Sequence, residues 1–181
     1  MQPSAASVVR VFVLGIDPGL SRCGYCVLTP KGRSGAAVAA AIGVIRTPPD
    51  MATPRRLAML QRDVIGLLDE FPPVAVAIER VLFQNNVSTA IPVGQASGII
   101  MAEAANRGCD VVEYSPNQVK EAVAGYGSAG KEQVQEMVRR LLGHDKVLRP
   151  ADAADAAAVA LCHIAYNPDP ARPNAAREAI R

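Results

Sequence analysis

The chain has 181 residues, half of them hydrophobic and a fifth charged, with a formal net charge of +2. That length suits one globular domain with a real core, and so small a charge gives no argument for nucleic acid by itself. No apolar run reaches the roughly 20 residues of a membrane span, and Met1 to Ser7 lack the basic segment, apolar core and cleavage site of a secretory signal. The expected compartment is the cytoplasm. Cys23 and Cys26 form one C-x-x-C, while Cys109 and Cys162 stand alone. Two ligands fall short of the four of a structural zinc site, and the pair lies in a predicted hairpin rather than at a helix start. All four cysteines are read as reduced and incidental.

Val8 to Ile16 is apolar except at Arg10 and Gly15 and predicts a buried strand. It ends on Asp17, then Pro18-Gly19 turns, and Gly24 to Leu28 predicts the returning strand of a hairpin. Ala36 to Arg46 continues the meander until Thr47-Pro48-Pro49-Asp50 breaks it. Thr53 is the expected cap of a helix with Pro54 at its first position. Leu57, Leu60, Val64, Leu67, Leu68 and Phe71 recur at helical spacing, with Arg56, Gln61, Arg62 and Asp69 off that stripe. Val74 to Ile78 is apolar on both faces, as a central parallel strand is, and it too ends on a carboxylate, Glu79. A loop over Arg80 to Asn86 leads to a long helix from about Ser88 to Asn106, capped by Ser88 or Thr89. Its Gly94, Gly98, Ala102 and Ala105 make a smooth face, suited equally to packing within the monomer or to a subunit interface.

Asp110 to Tyr114 predicts a fifth strand, and Ser115-Pro116-Asn117-Gln118 spells a capping box. The short helix it opens carries Lys120 and ends at Gly125-Tyr126-Gly127. Ser128 is the expected start of the next helix, with Val134, Met137, Val138, Leu141 and Leu142 as its buried stripe and Gly143 as its stop. Pro150 to Leu161 is alanine-rich and predicts a last helix. Residues 8–166 are therefore expected to form one α/β domain, a five-stranded mixed sheet flanked by helices, between flexible termini at 1–7 and 167–181.

The chemistry rests on four carboxylates. An aspartate at the end of a core strand is costly to ionise unless a cation meets it, although Asp before Pro-Gly also serves as a plain turn residue. Asp17 and Glu79 both end strands, where open α/β sheets bind ligands. Asp152 and Asp155, three apart, share one helix face. A first helical turn favours acidic residues for its own capping, yet this helix is apolar nearly all round, so its start should lie against the sheet. Four converging carboxylates repel unless cations neutralise them, and oxygen-only ligands suit Mg²⁺ or Mn²⁺. Two such ions would serve a phosphoryl displacement, one activating water and the other holding the leaving 3′ oxygen.

Five segments carry a specific resemblance: Ile16-Asp17-Pro18-Gly19, Ala77-Ile78-Glu79-Arg80, Gly94-Gln95-Ala96, Gly125-Tyr126-Gly127-Ser128-Ala129 and Ala151-Asp152-Ala153-Ala154-Asp155-Ala156. In this order, from about Val11 to His163, the chain resembles the crossover junction endodeoxyribonucleases, the RuvC family. The resemblance implies a ribonuclease-H-like fold, a homodimer and Mg²⁺-dependent symmetric cutting of Holliday junctions in DNA recombination and repair, alongside the branch-migration complex RuvAB. It places the metal carboxylates at Asp17, Glu79, Asp152 and Asp155, with two Mg²⁺ per active site and Mn²⁺ as a substitute. It places basic residues near the scissile phosphate at Lys120 and Lys131, the latter counted with the catalytic set. Where the family often has a base-stacking aromatic, three residues after the glutamate, this chain has Leu82, with Phe83 one residue later. Either Leu82 wedges as an apolar side chain or the loop presents Phe83; Phe83 packed beneath the loop is the alternative.

Two other readings compete. An actin-like ATPase or nucleotide phosphotransferase also uses an Asp-x-Gly hairpin, but needs a second domain for which 181 residues leave little room. Gly125 to Lys131 approaches a P-loop, but Glu132 stands where Ser or Thr is needed and the stretch follows a helix. Without the resemblance, Lys131 reads as an exposed lysine in a first turn. A junction-binding module with a decayed site is opposed by carboxylates at all four matching positions.

Overall fold

The computed structural model describes residues 11–31, 36–81 and 87–168. Its strands are β1 (Val13–Asp17), β2 (Arg22–Pro30), β3 (Ala37–Arg46), β4 (Ala75–Glu79) and β5 (Asp110–Tyr114). Its helices are α1 (Thr53–Glu70), α2 (Val87–Asn106), α3 (Pro116–Ala124), α4 (Lys131–Leu141) and α5 (Ala151–Tyr166). The sheet runs β3-β2-β1-β4-β5, antiparallel across β3, β2 and β1 and parallel across β1, β4 and β5. This is the expected mixed five-stranded sheet. Of the segments expected to be flexible, 1–7 and 167–181, residues 1–7 and 169–181 lie outside the described residues, as do Val8 to Arg10 of the expected first strand. Asn167 is tied down, its Nδ2 donating to Tyr114 Oη and to the His163 carbonyl, each at 3.1 Å.

Strand alternation sorts the sheet into two cores. Leu14, Ile16, Val76 and Ile78 face α1 and α2, meeting Leu60, Val64, Leu68, Ile100 and Ala104. Val13 and Ala77 face the other way, toward α3, α4 and α5. The same alternation settles the C-x-x-C: Cys23 falls in the first core and Cys26 in the second, so one strand holds the two sulfurs on opposite faces. All four cysteines are free, and burial pushes the Cys23, Cys26 and Cys162 thiols up to about 12.

Two caps differ from expectation. Helix α1 has Ala52 at its N-cap and no side-chain cap, with Thr53 already inside. Helix α4 starts at Lys131 behind Gly130, not at Ser128, because Ala129 is buried in a turn (N–H to the Tyr126 carbonyl, 3.3 Å) and the Gln133 side chain accepts from Gly130 N at 3.2 Å. Leu141, expected in the buried stripe, is exposed, while Val134 and Val138 are buried. The Ser115–Gln118 capping box forms as expected, and Gly125 closes α3 at φ +87°. No described atom lies within 4 Å of a Cβ added at Gly94 or Gly98, so the smooth face of α2 meets no close neighbour among the described residues of the monomer. Nor is any described helix long and apolar enough to cross a membrane.

Candidate metal-dependent nuclease site

The register of the parallel pair sets the first two carboxylates. Ile16 lies opposite Ile78, so Asp17 and Glu79 follow side by side at the carboxyl ends of neighbouring strands. Both isoleucines face α1 and α2, so alternation turns Asp17 and Glu79 toward α5.

Helix α5 can reach them because β1 and β2 each present a glycine, Gly15 and Gly24, beneath it. A Cβ at Gly24 would strike the Asp152 carbonyl and lie 2.6 Å from its carbon, and one at Gly15 would strike the Ala156 carbonyl and lie 2.7 Å from the Ala160 Cβ. Ala153, Ala154 and Ala156 to Ala158 are buried as well. Small residues on both sides thus press the first turn of α5 onto the β1–β2 hairpin, bringing Asp152 and Asp155 over Asp17.

The electrostatics record the convergence. Burial first, then Glu79, Asp155 and Asp152, raise the Asp17 carboxyl from 3.8 to about 7 against the pull of Lys131. Burial and Asp155 likewise raise Glu79, opposed by Lys131 and Lys120. Lys131 Nζ donates to Asp155 Oδ2 at 2.7 Å, and this bond heads the causes that raise the lysine's own pKa. Glu79, Lys120, Lys131 and Asp155 line a cavity of about 270 Å³ whose apolar wall includes Val119, Val134 and Ala158. The structure thus brings together six of the eight residues singled out in the sequence. Leu82 and Phe83 lie outside the described residues.

Two further residues lie around these carboxylates and left no sequence signal. Arg22, opening β2, places Nη2 2.7 Å from Asp152 Oδ2; one arginine in a turn has no diagnostic spacing. Arg56, off the apolar stripe of α1, donates from Nε to Thr47 Oγ1 at 2.9 Å and from Nη2 to Ser21 Oγ at 2.5 Å. The buried Thr47 donates to the Leu20 carbonyl at 2.5 Å. Together they pin the turn between Asp17 and Arg22 to α1.

The donor set suits a hard divalent cation: carboxylate oxygens only, with the Asp17 pKa raised by burial and then by the neighbouring carboxylates. Among the described residues, no three His, Cys, Asp or Glu side chains already stand together in a metal-binding group. Asp152 and Asp155 are engaged by Arg22 and Lys131 instead.

Comparison with known proteins agrees with this geometry. A family model described as crossover junction endodeoxyribonuclease RuvC matches residues 13–163. The protein of that name from Natranaerobius thermophilus is 46% identical over 153 residues, 84% of this chain and 94% of the relative. The one from Leifsonia xyli subsp. xyli is 50% identical over 155 residues, 86% of this chain and 74% of the relative. A solved structure of Thermus thermophilus RuvC in complex with Holliday junction substrate is 38% identical with a TM-score of 0.83, covering 87% of this chain and 95% of that one. The fold is ribonuclease-H-like, and the chain belongs to the RuvC family of crossover junction endodeoxyribonucleases, which are metal-dependent nucleases.

Proposed function

We propose that this chain resolves four-way DNA junctions by hydrolysing a phosphodiester bond in each of two symmetric strands. The observation that carries the proposal is the meeting of Asp17 and Glu79, at adjacent strand ends, with the first turn of α5, beside Lys120 and Lys131. Asp17, Glu79, Asp152 and Asp155 are the ligands proposed for Mg²⁺, two ions per active site, with Mn²⁺ as a substitute. When bound, such ions supply an activated water and stabilise charge on the attacking and leaving oxygens.

The rest belongs to the chain's own groups. With Arg22 and Lys131 paired to Asp152 and Asp155, the charge of Asp17 and Glu79 at the strand ends is left for a cation to meet before the reacting phosphate settles there. Lys120 and Lys131, on the cavity wall beside Glu79 and Asp155, orient a phosphate. The Arg56–Thr47 clamp keeps the turn after Asp17 from shifting as the strand is gripped.

Paired cuts require two sites related by a twofold axis, so the working form is a homodimer. The open α2 face at Gly94 and Gly98 is the surface proposed to contribute. Leu82 or Phe83 is proposed to contact bases at the junction point, RuvAB is the expected partner complex, and the cytoplasm the expected compartment. The deciding experiment incubates the protein with a four-way junction, linear duplex and single strands, with Mg²⁺ and with EDTA. Symmetric nicks confined to the junction and to Mg²⁺ are the expected result. ATP hydrolysis without cutting would turn the reading toward a phosphotransferase, and binding without cutting under every metal condition toward a non-catalytic module.

A further inference from the structure

Arg22 stands at the mouth of the β1–β2 hairpin, two residues before the Gly24 that lies opposite Asp17. Its Nη2 is 2.7 Å from Asp152 Oδ2, with the arginine side chain 46% exposed and the aspartate 27%. The aspartate is anchored from behind by the contact of its own backbone with Gly24, whereas the guanidinium sits on a long, half-exposed stem. A carboxylate oxygen engaged by an arginine at this distance is not open to a metal ion, and half-exposed pairs are weak enough to break. Arginine is also a strong partner for phosphate, which it grips with two parallel N–H donors.

We propose that Arg22 is a displaceable counter-ion for Asp152. It occupies the carboxylate in the metal-free protein, competes with the incoming divalent cation, and once displaced turns its guanidinium to DNA phosphate at the mouth of the site. This rests on the reading of the four carboxylates as metal ligands. Arg22 is a positioning residue for the cation and a phosphate contact afterwards, so metal loading and strand gripping are coupled through one side chain.

Two measurements test it. The first is calorimetric titration of metal-free protein with Mn²⁺, comparing wild type with Arg22→Gln, Arg22→Lys and Asp17→Asn. Arg22→Gln is expected to bind Mn²⁺ about two- to fivefold tighter, the strength of a partly exposed pair, and Arg22→Lys to stay near wild type. Unchanged or weaker binding by Arg22→Gln, with binding lost in Asp17→Asn, overturns the counter-ion role and leaves the metal site intact. No Mn²⁺ binding by wild type, or none lost in Asp17→Asn, overturns the metal reading and this proposal with it. The second is a gel shift on a four-way junction in EDTA. Arg22→Gln should matter little when Asp152 holds the arginine, but cost about two- to fivefold in an Asp152→Asn background where it is already released. Equal effects in the two backgrounds overturn the displacement.

Discussion

On the face of the sheet covered by α1 and α2, Arg107 joins Asp69 at 3.1 Å and Glu103 at 2.8 Å, and Gln61 donates to Glu103 at 2.7 Å. Gln61 and then Arg107 hold the Glu103 carboxyl below its usual range. On the face covered by α5, ion pairs at 2.7 Å also engage Asp152 and Asp155, yet Asp17 is still driven up to about 7. The first face arranges its donors so that the Glu103 carboxylate is eased. The second buries Asp17 among other carboxylates, and burial first and their charge second make it resist ionising, an arrangement with no merit for folding. On the reading proposed above, that cost is offset by divalent cations, so one face uses its charges to join two helices and the other keeps carboxylates for a cation.

Asp152→Asn or Glu79→Gln breaks the second face most severely. Cleavage of a four-way junction should fall by at least about 100-fold, because charge stabilisation at the reacting phosphate goes with the cation. Junction binding should persist, since affinity comes mainly from phosphate contacts. Gel shift and cleavage on one preparation read both; a mutant cutting at near wild-type rate removes that residue from the site.

The next effect is on stability, and its sign is opposite to that of an ordinary ion pair. Asp17 titrates near 7 when folded against 3.8 as its unperturbed value, so between those pH values the folded state holds the extra proton. Stability of the metal-free protein therefore falls as pH rises from about 4 to about 7. At ~1.4 kcal/mol per pKa unit the loss is at most about 4 kcal/mol. Asp17→Asn should abolish cleavage yet raise the melting temperature in EDTA at pH 8, with little gain at pH 4. An equal gain at both pH values would mean that ionisation of Asp17 is not the cause. Added Mg²⁺ should raise the wild-type midpoint at pH 8 and leave that of Asp17→Asn much less changed.

Gly24→Ala is expected to cost about 1–3 kcal/mol as overpacking, because the new Cβ meets the Asp152 backbone rather than a flexible side chain. Activity should suffer more than stability: a shift of α5 by about 1 Å can cost roughly 100-fold in rate. Urea unfolding and cleavage measured together check it. A loss of stability with the cleavage rate preserved would show that α5 can move without disturbing Asp152.

Much of this was legible in the chain. Strand-ending Asp17 and Glu79 announce themselves by charge after an apolar run, the Ser115–Gln118 box by its fixed spacing, and the paired aspartates of α5 by their interval of three. What stayed hidden depends on contacts across long sequence separations. Gly15 and Gly24 look like weak points of strands until α5 is laid on them. Arg56 looks like a solvent-facing residue off its helix stripe, and only the fold shows it holding Thr47 and Ser21. Ser128 looks like a helix cap because Ser is a good one, but burial of Ala129 delays the helix to Lys131. Leu141 fits the helical period and still faces solvent, because α4 is buried along a narrower strip than its apolar pattern suggests.

Arg107→Ala tests the other half of the comparison. The arginine bridges the end of α1 at Asp69 to Glu103 on α2, with donors on both carboxylates and on the Glu103 backbone carbonyl. The bridge is well formed, but the Asp69 side chain is 64% exposed, so water and salt already screen much of its attraction. The α1–α2 face is held instead by the apolar contact of Leu60, Val64 and Leu68 with Ile100 and Ala104, which the substitution leaves in place. The urea midpoint should therefore move less for Arg107→Ala than for Gly24→Ala, and the remaining difference should shrink further in 1 M salt. Junction cleavage should be unchanged, because the bridge lies on the opposite side of the sheet from the carboxylates. A drop in cleavage from Arg107→Ala would show that the two faces are coupled through the sheet rather than built independently.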